Sequence, residues 1–158
     1  MAYRVFLSHN TTQEDMVIVW RLQTLAAASG LHLDVPNPAQ RSNWNTVAQM
    51  ISEADAVIAF ITKRVTQQVI TELNHALLLN RLTIVIAEQG IPIGAIQSLL
   101  QGANSRIFIL NSERPWEMEQ QLSQFLQEQR LNKDAKNALL AVAGAFIGLL
   151  LLQELTKS

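Results

Sequence analysis

Short, nearly continuous apolar runs recur through the first two-thirds of the chain, and longer segments of helical periodicity separate them. A run of about four to eight apolar residues is typical of a strand buried on both faces, whereas a 3.6-residue period is typical of a helix with one buried face. The pattern predicts five strands, at 3–7, 31–35, 56–61, 83–87 and 106–110. It predicts helices at 12–29, 46–53, 66–80, 95–100 and 115–131.

Strands that alternate with helices predict an α/β fold whose parallel sheet has right-handed crossovers. Within that class we expect the flavodoxin-like strand order 2-1-3-4-5, with helices on both faces. Ligands of such sheets collect beyond the carboxyl ends of the strands, near the switch between strands one and three. That edge gathers residues 8–10, the loop 36–45 and residues 62–66.

The end of the chain departs from this alternation. Residues 138–152 are fifteen consecutive apolar residues, and the uncharged run extends over 137–153. A helix of that length reaches about 25 Å, close to the hydrocarbon thickness of a bilayer, which is about 30 Å. Gly144 and Gly148 add a spacing of small residues that lets helices approach closely in lipid.

Three interpretations of this tail stay open. A membrane anchor at 138–152 is favoured because the segment is apolar on all sides, whereas a helix that covers a sheet needs only one apolar stripe. The alternatives are packing of several tails in a soluble assembly and a helix that closes the domain core. We therefore divide the chain into a domain at 1–131 and a linker with a hydrophobic C-terminal helix at 132–158.

Charge and composition limit the function classes. The net charge is −1 and there is no arginine-rich run, so the sequence lacks the basic patch that is typical of a nucleic-acid-binding protein. The absence of cysteine excludes a disulfide framework and thiolate metal sites, and it indicates a reducing compartment. A bias of basic residues around the tail favours a cytoplasmic domain, with three before it and one after it: Arg130, Lys133, Lys136 and Lys157.

Two kinds of site find no support in the sequence. The glycines form neither a dinucleotide-binding nor a P-loop motif, and the three histidines lack metal-ligand spacing, so we expect no resident cofactor and no metal. Ser8 beside His9 invites a serine-hydrolase interpretation. Adjacent residues of a strand point to opposite faces, however, which argues against that pairing.

Glu72 is the residue with the most chemical promise. It lies at the border of the apolar face of the helix 66–80, with Gln68 and His75 about one turn away on either side. A carboxylate at the rim of an α/β cleft suits cleavage of an N-glycosidic bond, because positive charge develops on the sugar carbon. The alternative is a solvated helix face with a pairing carboxylate.

Three segments resemble the Toll/interleukin-1 receptor (TIR) family, in their order and their spacing. The first is the strand and Ser-His opening at 5–10, followed by acidic residues at 14–15. The second is the helix-to-strand segment at 52–58. The third is TQQVITEL at 66–73, which is similar to the family's glutamate helix, with Gln68 at the place of its aromatic residue.

The resemblance implies an enzyme that cleaves NAD at the nicotinamide–ribose bond, with NAD as substrate and Glu72 as the catalytic residue. It implies homo-oligomerisation as the switch, in defence or signalling. We expect the oligomer to form through contacts between TIR domains and, from the pattern of the tail, through the C-terminal helix. The residues expected to line the substrate site are Ser8, His9, Asn10, Arg41, Trp44 and Gln68. A non-enzymatic scaffold that self-associates and a nucleoside deoxyribosyltransferase-like enzyme are the alternatives. Trp44 is equally compatible with stacking on a base and with anchoring the helix that follows it.

Overall fold

A computed structural model describes residues 3–9, 20–21, 23–24, 26–28, 30–102, 104–111 and 113–156, with the backbone alone for 149–156. The described positions between 20 and 28 are helical, in agreement with the helix predicted at 12–29. The predicted start of that helix, and Asn10, lie outside the described residues.

The five predicted strands form one parallel sheet with the order β2-β1-β3-β4-β5, which confirms the predicted fold class and topology. The order places β1 between β2 and β3, so the chain reverses its direction of winding there. The strand bounds agree with the prediction to within two residues. They are β1 Tyr3–His9, β2 Leu31–Asp34, β3 Ala56–Ile61, β4 Leu82–Glu88 and β5 Ser105–Leu110.

The helices after residue 30 lie where they were expected, with one addition. They are α1 Pro38–Arg41, α2 Trp44–Glu53, α3 Gln67–Leu78, α4 Gly94–Gln97, α5 Pro115–Glu128 and α6 Lys133–Thr156. The addition is α1, which lies in the segment predicted as a loop. Its four residues are too few for a periodic pattern, but Asn37 and Gln40 form a capping box and Pro38 occupies the first turn.

The two faces of the sheet carry separate hydrophobic clusters. Alternate residues along β3 illustrate this, because Val57, Ala59 and Ile61 pack with α2 and α3, whereas Ala56, Ile58 and Phe60 pack with α5 and α6. We call these sides the α3 face and the α6 face. Every residue of β3 is buried, as expected for a central strand of a parallel sheet.

Helix α3 presents a face that differs slightly from the predicted one. Val69 and Leu73 are buried as expected, but the third buried apolar residue is Ala76 and not Leu77. An α-helix turns about 100° per residue. Ala76, seven residues after Val69, therefore points within about 20° of the direction of Val69, whereas Leu77 points about 80° away from it. Glu72 lies on this same face and is completely buried.

Helix α6 packs against the sheet of its own chain. Buried positions from Ala138 to Ile147 follow a helical stripe within the cluster of the α6 face, and the ring of Phe146 stacks on Phe60 with centroids 3.5 Å apart. The predicted membrane anchor at 138–152 is therefore not supported, and the interpretation as a core-closing helix accounts for these contacts. The exposed side of the helix also carries small apolar residues, such as Ala141, so the sequence alone does not distinguish the buried stripe. No helix in the described ranges is long and apolar enough to span a bilayer.

The Phe146–Phe60 stack tests whether α6 stabilises the domain. Phe146→Ala removes a buried aromatic ring, and we expect it to lower the free energy of unfolding by about 3–5 kcal/mol in urea denaturation. Leu78→Ala is the control, because Leu78 is 76% exposed, and its cost is expected to stay below about 0.5 kcal/mol. Equal stability of Phe146→Ala and wild type would contradict the packing of α6.

Tyr3 gives a second test of the packing, because it is the one tyrosine of the sequence. Its burial, with a contribution from the Asp55 carboxylate, raises the pKa of the phenol to about 12. The unfolded phenol titrates near 10, so the folded state binds the proton more tightly. The contribution of the protonated Tyr3 phenol to the free energy of unfolding is then fully present below about pH 10 and is lost as the pH rises towards 12. Phenolate absorbance of the folded protein should show a midpoint near 12, and a midpoint near 10 would contradict this burial.

Candidate functional site

The Glu72 carboxylate accepts four hydrogen bonds, two on each oxygen. Oε1 accepts from Ser8 Oγ at 2.6 Å and from Arg41 Nη2 at 3.0 Å. Oε2 accepts from Gln68 Nε2 at 3.2 Å and from Arg41 Nε at 3.3 Å. A carboxylate offers about four acceptor positions. The described structure therefore uses its whole accepting capacity.

Three separate elements bring these donors together. Ser8 lies at the carboxyl end of β1, Gln68 lies one turn before Glu72 on α3, and Arg41 ends the short helix α1. The carboxyl ends of parallel strands share one edge of the sheet, and α3 starts from that edge after β3. Thr66 caps α3 through a hydrogen bond from the Val69 backbone to its side chain. The cap fixes the start of α3, and so its buried face.

Arg41 forms a buried ion pair with Glu72. The side chain of Arg41 is 8% exposed and that of Glu72 is fully buried. Taking a lone carboxylate out of water is costly, and a guanidinium with two parallel N–H groups offsets much of that cost. Gln68 Nε2 also lies 3.4 Å from the Arg41 carbonyl oxygen, so it contacts both members of the pair.

Ser8 and His9 lie on opposite faces of the sheet, as the strand geometry predicts. Ser8 pairs in register with Ala59 of the α3 face, and His9 pairs with Phe60 of the α6 face. The Ser8 hydroxyl donates to Glu72. A serine–histidine pair for nucleophilic catalysis is thus not formed by these two residues.

A cleft of about 390 Å³ adjoins the buried pair. Trp44 is 39% exposed there, and its ring meets His75 edge-on at 5.3 Å between centroids. Trp44 thereby both anchors the start of α2 against α3 and shows an aromatic surface to the cleft. The lining residues are Arg41, Ser42, Trp44, Gln67, Gln68 and Thr71.

The structure brings most of the predicted site residues together. Ser8, Arg41, Gln68 and Glu72 converge, and Trp44 lies beside them; His9 does not join them, and Asn10 lies outside the described residues. The sequence analysis missed three lining residues, Ser42, Gln67 and Thr71. Gln67 and Thr71 could have been found from the sequence, because each directly precedes one of the predicted residues Gln68 and Glu72 and the two have the same i, i+4 spacing on the helix.

Metal-binding geometry is not found among the residues that the structure describes. No three acidic or histidine side chains there lie close enough to hold an ion.

Comparisons with known proteins support the fold alone. No family model and no curated protein matches the chain. A CMP N-glycosidase of Clostridium botulinum, BcmB, is similar with a TM-score of 0.56 at 21% identity, over 75% of this chain and 98% of that chain. A metal-soaked flavodiiron core from Synechocystis sp. is similar with a TM-score of 0.55 at 14% identity, over 97% of this chain and 37% of that chain.

The TIR domains of the activated Roq1 resistosome are similar with a TM-score of 0.48 at 15% identity, over 93% of this chain and 82% of that chain. None of these likenesses assigns the chain to a family. Membership of the TIR family stays a prediction from the three sequence segments.

The buried pair predicts strong coupling between its members. Arg41→Ala leaves the carboxylate without its cation, and we expect a cost of about 3–5 kcal/mol in the free energy of unfolding. Combining Arg41→Ala with Glu72→Gln removes both charges, so the double variant should recover much of that loss. A double-mutant cycle by urea denaturation measures the coupling.

The exposed pair Arg114–Glu117 is the matched control for this cycle, with side chains 64% and 50% exposed. Its coupling is expected to lie between about 0 and 1 kcal/mol. Additive costs at Arg41 and Glu72 would show that the pair does not form in solution.

Proposed function

We propose that this protein hydrolyses the N-glycosidic bond of a nucleotide, with NAD as the first candidate substrate and Glu72 as the catalytic carboxylate. The single observation that carries the proposal is the buried Glu72 carboxylate, held by Ser8, Arg41 and Gln68 at the carboxyl edge of the sheet beside a cleft. Enclosed carboxylates of this kind suit a reaction in which positive charge develops.

The reaction on NAD breaks the bond between the ribose C1′ and the nicotinamide nitrogen. The electron pair of that bond goes to the ring nitrogen, and nicotinamide leaves as a neutral molecule. The sugar passes through an oxocarbenium-like state, which the negative charge of Glu72 stabilises. The oxygen of a water molecule bonds to C1′ and that water loses a proton, so the products are ADP-ribose, nicotinamide and a proton. Attack by a base nitrogen of the same molecule, in place of water, would give a cyclic product.

The other residues have supporting roles in this proposal. Ser8 and Gln68 orient the carboxylate, since each donates to a different oxygen of Glu72. The exposed ring of Trp44 offers a stacking surface for nicotinamide or a base. His9 receives no role, because it lies on the α6 face.

The proposed active species is a homo-oligomer. A cleft of 390 Å³ lies towards the lower end of the range of about 300–1,000 Å³ for ligand pockets, so a dinucleotide would extend beyond it. A second subunit packed against the segment around α1 would enclose the remainder. The lack of cysteine is compatible with a cytoplasmic place of action, which stays a prediction.

A nucleoside monophosphate is the second candidate substrate. The protein BcmB, whose name states that it cleaves CMP, is similar over nearly its whole length, and its reaction is of the same chemical class. The size of the cleft also suits a mononucleotide better than a dinucleotide. Both candidates require the same carboxylate, so one set of variants tests them together.

The test is release of free base from NAD and from CMP by concentrated wild-type protein, measured by chromatography. We expect release from at least one of them, and we expect Glu72→Gln to lower the rate by about 10²–10³-fold. The amide keeps the size of the side chain but lacks the negative charge that stabilises the sugar cation. Circular dichroism checks that the variant is folded.

Glu128→Gln is the matched control, because Glu128 is exposed on α5, and its rate should equal that of wild type. Retention of activity in Glu72→Gln would show that Glu72 is not catalytic. Absence of base release at any protein concentration would contradict the enzymatic proposal and favour the self-associating scaffold.

A further inference from the structure

The saturated carboxylate sets a condition on any ligand that is to reach Glu72. Each oxygen already accepts two hydrogen bonds, and the side chain is completely buried. A ribose hydroxyl can therefore bind Glu72 only after one of the present donors has moved away. The identity of that donor determines what else the ligand must provide.

Arg41 is the donor that is least restrained by its own element. Ser8 belongs to a fully buried stretch of β1, and Gln68 shares a continuous helix with Glu72. Arg41 ends a helix of four residues that contains no buried residue. The Arg41 side chain also lines the cleft, so a ligand in the cleft meets it before it meets Glu72.

Displacing Arg41 has an electrostatic requirement. A ligand without an anionic group that pushed the guanidinium aside would separate two buried charges and would offer the guanidinium no counter-charge. A phosphate group in the cleft offers the guanidinium another partner with the same two-pronged geometry. The exchange then keeps both charges compensated, with phosphate on Arg41 and the developing sugar cation facing Glu72.

The acceptor positions on Glu72 that Arg41 would leave are distributed over both carboxylate oxygens. Arg41 donates once to each oxygen, from Nη2 to Oε1 and from Nε to Oε2. Its departure frees one acceptor position on each oxygen, while Ser8 and Gln68 keep theirs. Two freed positions on the two oxygens of one carboxylate match the two adjacent hydroxyls of a ribose.

We propose that Arg41 is a specificity-determining residue that covers Glu72 until a phosphate of the substrate draws it away. The site then takes phosphorylated nucleotides and rejects the corresponding nucleosides, which carry no anionic group. This inference rests on the proposed function, because it concerns access to the same carboxylate. It adds the requirement for an anionic group on the substrate.

The kinetic test compares matched pairs of substrates, CMP with cytidine and NAD with nicotinamide riboside. For wild type we expect kcat/KM to be about a hundredfold or more higher with the phosphorylated member, because the nucleoside offers the displaced guanidinium no anion in place of Glu72. Arg41→Gln should lower kcat/KM for the nucleotide, so that the values for nucleotide and nucleoside lie within about tenfold of each other. Arg114→Gln removes an exposed arginine and should keep the wild-type preference.

A binding measurement separates this inference from the proposed reaction. Ribose 5-phosphate and ribose differ in the phosphate and contain no glycosidic bond to cleave. In ¹⁵N nuclear magnetic resonance spectra, the Arg41 Nε–H signal is identified by its loss in Arg41→Gln. We expect ribose 5-phosphate to shift that signal and ribose at the same concentration to leave it in place.

The outcomes are distinguishable. A shift with ribose 5-phosphate and no base release from any substrate would support the phosphate-dependent displacement and contradict the proposed hydrolysis. Base release with equal kcat/KM for nucleotide and nucleoside, or an equal response to both sugars, would overturn the role of Arg41. Arg41→Lys is the second variant should Arg41→Gln not fold. Lysine keeps the positive charge but lacks the planar guanidinium, so this variant should still prefer the phosphorylated ligand and should bind it with about tenfold lower affinity.

Discussion

Because the five strands are parallel, each crossover returns across one face of the sheet, and helices must cover both faces. The central strands consequently carry apolar residues on both sides, as the complete burial of β3 shows. Polar chemistry is confined to the places where a strand ends and a helix begins. The site at Ser8 and Glu72 occupies such a place, at the switch between β1 and β3.

A buried carboxylate at this edge is tolerated only with its full set of donors. Each unmade hydrogen bond to the charge would cost on the order of 1–3 kcal/mol, which is a large part of the stability of a small domain. The donors come from β1, α1 and α3, so the cluster joins parts of the chain that are distant in sequence. The same cluster that holds this edge together therefore prevents Glu72 from binding anything else.

The sequence predicted what depends on local pattern. Continuous apolar runs located the strands, and the i, i+4 spacing placed Gln68 beside Glu72. It did not predict the burial of Glu72, because a carboxylate enters the interior only with a partner, and Arg41 lies 31 residues away. The prediction for the tail was wrong because α6 is apolar on nearly all sides, and the buried stripe that includes the Phe146–Phe60 stack is visible only in the packed structure.

The position of α1 connects the site to the surface of the molecule. With no buried residue of its own, α1 packs beside α2 and contacts α3 through the side chain and the carbonyl oxygen of Arg41. In the proposed mechanism, displacement of the guanidinium removes one of those attachments. The segment 36–45 would then change its position when a phosphorylated substrate enters. The proposed oligomer needs that same segment to contact a second subunit, so substrate entry and assembly would act on one piece of the chain. Because such coupling is reciprocal, a subunit that fixed α1 away from Glu72 would in turn favour the substrate.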